Sequence, residues 1–141
     1  MNTGRWAIGG LVAGLVLNIS EAVLHGVLLA DQTAGAMTAL GRDAAGTPLG
    51  LGLLVAVTFA QGLVGIRLYA AGGGSAVMIG LAMWLLSAVY SAAYFFAGFP
   101  GLIPEGVLWW PVAWELVQYP VAMLAGARVI ASKASSTPPR R

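Results

Sequence analysis

The sequence contains no cysteine and has few charged side chains. Without cysteine, a disulfide framework, a thiolate metal site and a thiol nucleophile are all excluded. Only 9% of the 141 residues are charged, whereas an ordinary globular domain has about a quarter. The fingerprints of P-loop, dinucleotide-binding, G-x-S-x-G and H-E-x-x-H proteins are also missing. These absences exclude an ordinary soluble domain and leave no standard catalytic motif.

Apolar residues dominate the chain instead. They make up 59% of it, and the mean hydropathy is +0.85. A helix needs about 20 mostly apolar residues to cross a bilayer. Four such runs are present, at residues 6–30, 50–71, 75–97 and 107–130. The sequence therefore predicts an all-α fold, an antiparallel bundle of four transmembrane helices that forms a single domain over residues 1–131.

The segments between these runs differ in character. Residues 31–49 are polar and are predicted to form a loop. Gly72-Gly73-Gly74 predicts a tight turn between the second and third helices, and two prolines and three glycines in residues 98–106 interrupt the chain before the fourth. Residues 132–141 are predicted to be a disordered cytoplasmic tail. The first run is longer than the apolar region of a signal peptide and is interpreted as a retained span.

Basic residues are distributed unequally between the two sides of the predicted bundle. Arg42 lies on one side, and the remaining six lie on the other: Arg5, Arg67, Arg128, Lys133, Arg140 and Arg141. Loops rich in Lys and Arg stay in the cytoplasm. We therefore expect a multi-pass protein of the bacterial inner membrane with both termini cytoplasmic. Because the net charge is only +2, a nucleic-acid partner is not expected.

Each predicted helix carries its polar residues on one face. At about 100° per residue, shared faces are formed by Gly14, Asn18, Glu21 and His25; by Thr58, Gln61 and Gly62; by Trp84, Ser87, Tyr90, Ser91 and Tyr94; and by Glu115, Gln118 and Tyr119. Lipid penalises polar side chains, so these faces should meet inside the bundle. Glycines dominate the cytoplasmic half, where they should allow the helix backbones to approach closely: Gly9, Gly10, Gly14, Gly62, Gly65, Gly80 and Gly126.

The candidate catalytic residues are Glu21, His25 and Glu115. The two glutamates are expected at one depth, roughly 12–13 Å below the outer surface, and His25 lies one helical turn from Glu21. Two carboxylates in a low-dielectric site do not both ionise easily, so one is expected to keep a proton that it can donate to a substrate. The candidate ligand-binding residues are Asn18, Gln61, Tyr90, Tyr94, Trp114, Gln118 and Tyr119. The competing interpretation is that these groups only hold the helices together through hydrogen bonds.

Metal binding is not predicted. Di-iron bundles use Glu-x-x-His pairs on two helices, whereas this chain has a single histidine, placed four residues after Glu21. The sequence identifies no cofactor.

Two segments resemble a known group of proteins. The first runs Trp6-Ala7-Ile8-Gly9-Gly10-Leu11-Val12-Ala13-Gly14 and leads to Asn18-Ile19-Ser20-Glu21; the second joins Trp114-Glu115 to Leu124-Ala125-Gly126-Ala127. They resemble small four-span inner-membrane proteins of bacteria, a group that has no established activity. The resemblance implies a four-span architecture and nothing about chemistry. In architecture alone, helices around paired acids and aromatics are similar to sterol-isomerase-type membrane proteins, whose motifs are absent here.

Two functions follow as hypotheses, and whether the protein is an enzyme stays open. The first is binding of a small apolar or amphipathic ligand in an outward-facing pocket around Glu21, His25 and Glu115, with acid–base chemistry on a lipid or isoprenoid as its enzymatic form. The second is a non-catalytic accessory subunit or assembly factor of a membrane complex, which docks through its glycine-rich faces. The expected partners are the lipid bilayer, a small apolar ligand, and a membrane protein or a second copy of the chain.

Overall fold

The computed structural model describes residues 3–41, 47–94 and 105–132, and the secondary structure in these ranges is helical throughout. Five α-helices follow one another: α1 (Thr3–Val23), α2 (Ala30–Ala39), α3 (Pro48–Ala70), α4 (Ala76–Ala92) and α5 (Glu105–Ser132). A π-helical turn, Leu24–Leu28, extends α1. The all-α prediction is confirmed, and α1, α3, α4 and α5 coincide with the four predicted apolar segments.

Helix α2 corrects the sequence prediction, because it lies in a segment that was expected to be a loop. Its sequence, ADQTAGAMTA, is rich in alanine, and Asp31 stands in its first turn, where a carboxylate favours the helix dipole. None of its residues is buried. The sequence of α2 therefore favours a helix through its residue types, although it contains no apolar run that would indicate one.

Side-chain caps define where α3 and α4 begin. The Thr47 hydroxyl accepts a hydrogen bond from the Gly50 amide at 3.1 Å, and Pro48 occupies the first turn of α3. The Ser75 hydroxyl accepts one from the Met78 amide at 3.2 Å. Between the two helices, Gly72 and Gly74 have φ values of 85° and 118°, which favour glycine. The predicted glycine turn is present.

Close backbone contact between α1 and α3 depends on glycine. A β-carbon on Gly62 would overlap the backbone of both Gly10 and Gly14, and a β-carbon on Gly10 would lie 2.7 Å from the Cα atom of Leu63. The spacing Gly10-x-x-x-Gly14 is typical of helix pairs that pack tightly in membranes.

Glycine also allows close backbone contact around α5. A β-carbon on Gly9 would lie 2.7 Å from the carbonyl oxygen of Gly126, and one on Gly80 would lie 2.5 Å from the Cα atom of Pro120. These contacts join α5 to α1 and to α4, and α4 packs mainly on α5. The buried core extends along the same interfaces, at Ala13, Leu17, Ile66, Ala76, Ile79, Tyr119, Ala122, Met123 and Ala127. These glycines therefore contact other helices of the same chain.

Within the described residues, two helices are long and apolar enough to cross a membrane, Gly4–Leu28 and Pro48–Ala70. Helix α4 is apolar but shorter, with 17 residues. Several sequence expectations lie outside the described residues: Arg42, the proline- and glycine-rich residues 98–104, and residues 133–141 of the tail.

Candidate functional site

Glu21 joins α1 to α5 through a hydrogen bond in the interior of the bundle. Gln118 Nε2 donates to Glu21 Oε1 at 2.5 Å, and the Gln118 side chain is buried. His25 Nε2 lies 3.4 Å from the other carboxylate oxygen of Glu21, one turn along the same helix. The Glu21 side chain is 29% exposed and the His25 side chain 45% exposed. His25 is therefore at the edge of this interaction, and Gln118 is at its buried side.

Glu115 and Tyr119 bring the other helices into the same region. Ser87 of α4 lies beside both residues, and Gln61 of α3 lies beside Tyr119, whose side chain is buried. Glu115 is close enough to Glu21 for their charges to interact. Polar residues from α1, α3, α4 and α5 thus converge, and we call this group the polar cluster: Glu21, Gln61, Ser87, Glu115, Gln118 and Tyr119.

Two buried oxygens of the polar cluster have no hydrogen-bond partner among the described residues, Glu115 Oε2 and Gln118 Oε1. Buried polar atoms are nearly always hydrogen-bonded, since an unpaired one costs about 1–3 kcal/mol. The orientation of the Gln118 amide follows from chemistry, because an ionised Glu21 carboxylate can only accept and so must face the amide nitrogen. The amide oxygen is then the atom left without a donor.

An apolar groove borders the polar cluster between α1 and α5. It has a volume of about 370 Å³, and we call it the lateral groove; it is lined by Val16, Ser20, Trp110, Ala113, Trp114, Val117, Gln118 and Val121. Trp114 Nε1 donates to the Ser20 hydroxyl at 2.7 Å, which fixes the indole against α1. Gln118 belongs to both features, so the groove meets the polar cluster at a buried amide.

Three predicted ligand-binding residues, Asn18, Tyr90 and Tyr94, belong neither to the polar cluster nor to the lining of the lateral groove. Asn18 donates to the carbonyl of Gly14 at 2.9 Å, within its own helix. Tyr90 and Tyr94 are 66% and 41% exposed, and their rings stack on each other with centroids 5.8 Å apart. The two tyrosines therefore lie on the outer surface of α4, because a helix that packs mainly against α5 buries only a narrow strip.

Sequence reasoning did not single out Ser20, which lines the lateral groove. Ser20 falls about 100° away from the face that contains Glu21, so it was outside the polar face of the first helix. The available signal was a polar residue directly before Glu21 in an otherwise apolar segment. Metal ligation has no geometric basis in the described ranges, where no three His, Asp or Glu side chains come together to hold an ion.

Comparison with known protein families, curated proteins and solved structures gives no match. The function has to be argued from the geometry of the polar cluster and the lateral groove.

Proposed function

We propose that the chain is a four-span integral membrane protein, with α1 and its π turn, α3, α4 and α5 as the spans. Large apolar side chains are exposed on all four of these helices, among them Leu15, Leu53, Leu86 and Val117. An apolar surface of this extent would be unfavourable in water and is typical of contact with lipid. Helix α4 has 17 residues and spans about 26 Å, close to the roughly 30 Å of a hydrocarbon core.

The orientation that we propose has both termini in the cytoplasm, as expected of a bacterial inner-membrane protein. Its support is a cluster of arginines at one end of the helices. Arg5 donates to the carbonyl of Ile130 at 3.1 Å, and the Arg67 guanidinium lies 5.9 Å from the Trp6 ring. This end combines the start of α1 with the end of α5, and basic residues favour the cytoplasmic side.

Within this membrane protein, the lateral groove would bind a small apolar or amphipathic molecule. The observation that carries the proposal is Gln118, whose buried amide oxygen has no donor among the described residues while its side chain lines the groove. A ligand with a hydroxyl or ammonium group would supply that donor, and its apolar part would lie between Trp110 and Val121. The chemical class that fits is therefore a lipid-like or isoprenoid molecule with one hydrogen-donating head group.

An enzymatic form of the proposal uses the two glutamates as an acid–base pair. Glu21 is held by Gln118 and His25, which suits it to remain ionised. Glu115 has a buried oxygen without a partner among the described residues, which suits it to donate a proton to a bound molecule. Asn18, Tyr90 and Tyr94 have no part in this form.

Native mass spectrometry of gently extracted protein tests the proposal. We expect a small-molecule adduct that Val117→Trp removes, because Val117 lines the lateral groove and the larger ring would fill it. Leu116→Trp is the matched control, since it adds the same ring beside the groove at a residue that does not line it. Glu21→Gln and Glu115→Gln should preserve folding and reduce retention of the small-molecule adduct. If the two Trp variants retained the adduct equally, the lateral groove would not be its binding site.

The second candidate, an accessory subunit or assembly factor, predicts a different mass spectrum. A stoichiometric protein partner without a small-molecule adduct would favour it. Loss of folding in both glutamate variants would favour a purely structural role for the polar cluster.

A further inference from the structure

A second groove lies towards the arginine-rich end of the molecule, about 15 Å along α5 from Gln118. Its volume is about 280 Å³, and it is bounded by the end of α3, the start of α4 and the end of α5. We call it the basic groove; it is lined by Tyr69, Ser75, Ala76, Leu124, Ala127, Arg128 and Ala131. Its lining combines an apolar strip from α5, Leu124, Ala127 and Ala131, with the polar side chains of Tyr69, Ser75 and Arg128.

Arg128 differs from the two other arginines at this end. Arg5 is engaged with the Ile130 carbonyl, and Arg67 is engaged with the Trp6 ring. The exposed Arg128 side chain makes no hydrogen bond or ion pair within the part of the chain that the structure describes. A guanidinium is well suited to bind an anionic oxygen, because its N–H groups form a planar fork.

Tyr69, Ser75 and the start of α4 supply further donors at or next to the basic groove. The Tyr69 hydroxyl has no hydrogen-bond partner among the described residues. The Ser75 oxygen accepts from the Met78 amide, so its hydroxyl proton remains available. The amides of Ala76 and Val77 open α4 and have no acceptor within that helix. Arg128, Tyr69 and Ser75 line the basic groove, and they and the first amides of α4 are donors of the kind that bind a phosphate group.

The charge of this end also favours an anion. In the described ranges, the first turn of α1, the last turn of α3, the first turn of α4 and the last turn of α5 contain no Asp or Glu. The same end would lie at the cytoplasmic membrane surface, where anionic lipids concentrate and basic pockets between helices bind their head groups.

We infer that the basic groove binds an anionic phospholipid. Arg128 and Tyr69 bind the phosphodiester, Ser75 and the first amides of α4 complete its coordination, and the acyl chains lie along Leu124 and Ala127. The inference rests on the proposed membrane location. It is independent of ligand binding in the lateral groove.

Lipid titration of the full-length protein in a neutral detergent, followed by native mass spectrometry, tests this inference. The probes are a phosphatidylglycerol and a phosphatidylcholine with identical acyl chains. We expect preferential binding of phosphatidylglycerol, and Arg128→Gln should reduce that preference by at least about five-fold. Arg128→Lys should retain part of it, because the charge remains while the planar fork is lost.

Two controls make the outcome decisive. Arg67→Gln removes the same charge from the same end of the molecule and should keep the preference, so an equal loss in both variants would overturn the inference.

Inorganic phosphate should not displace the lipid, because it lacks acyl chains for the apolar strip. Displacement that depends on Arg128 would instead identify a free-phosphate site. Glu21→Gln should leave the lipid preference unchanged, which separates failure here from failure of the lateral groove.

Discussion

At the scale of single residues, two side-chain amides on predicted polar faces form different kinds of hydrogen bond, one within a helix and one between helices. Asn18 satisfies its amide nitrogen within α1, by donating to the Gly14 carbonyl. Gln118 reaches across to Glu21 on another helix and is buried. Only the hydrogen bond of Gln118 joins two helices. Residue type and spacing do not distinguish them, because the difference depends on whether a neighbouring helix supplies an acceptor.

The cost of losing each amide should therefore differ. Gln118→Met removes a donor to a carboxylate and should lower the free energy of unfolding by about 1–3 kcal/mol. Asn18→Ala removes a hydrogen bond between uncharged groups of one helix and should cost less, about 0.5–1 kcal/mol. Reversible unfolding in mixed micelles measures both values. Equal losses would show that the bond between Gln118 and Glu21 adds little to helix association.

At the scale of helices, backbone contact between α1 and α3 is the most specific packing feature. The glycine spacing in the first segment predicted close approach of two helices, and the structure identifies the partner as Gly62. Composition could not identify that partner, because α3 also contains Gly50, Gly52 and Gly65. Only the packing of the two helices determines which of these glycines faces Gly10 and Gly14.

Two identical substitutions in α3 test this interface. Gly62→Ala places a methyl group in the backbone of α1, which cannot move aside, and should destabilise the protein by about 1–3 kcal/mol or more. Gly52→Ala faces open space and should be neutral or stabilise α3 by up to about 1 kcal/mol. The same unfolding measurement compares them. If Gly62→Ala were as well tolerated as Gly52→Ala, the two helices would not be in backbone contact.

The π turn and α2 show what a search for apolar periodicity misses. The amide of Leu29 bonds to the carbonyl of Leu24 at 2.7 Å, a spacing of five residues that ends the regular α1 pattern. His25 Nδ1 then lies 3.4 Å from the hydroxyl of Thr33 in α2. Counting at about 100° per residue assumes an unbroken α-helix, so it could not anticipate a contact across the π turn.

At the scale of the whole molecule, the proposed topology places the start of α2 outside the membrane and the turn after α3 in the cytoplasm. The native chain lacks cysteine, so single introduced cysteines report on each side without background. Gln32 and Ala71 are both exposed and suit this purpose.

A membrane-impermeant maleimide should label Gln32→Cys in spheroplasts and should reach Ala71→Cys only after lysis. The expected difference follows from the arginine distribution, which favours retention of the α3–α4 turn in the cytoplasm. Labelling of Ala71→Cys alone in intact spheroplasts would indicate the opposite orientation, with the α3–α4 turn outside the cytoplasm. Equal labelling of both cysteines would contradict the four-span arrangement.

The sequence by itself determined the helical class, the four apolar segments, the glycine turn and a polar face on each of the four segments. These features are local or periodic, so they can be read from neighbouring residues along the chain. Tertiary packing decided the rest: it left Tyr90 and Tyr94 on the surface, placed Ser20 beside Trp114, and opened the lateral groove between α1 and α5. Periodicity defines a face of each helix, but which part of that face is covered depends on how many neighbours the helix has. Helix α4 packs mainly on α5, so two of the five residues of its predicted polar face, Tyr90 and Tyr94, remain exposed.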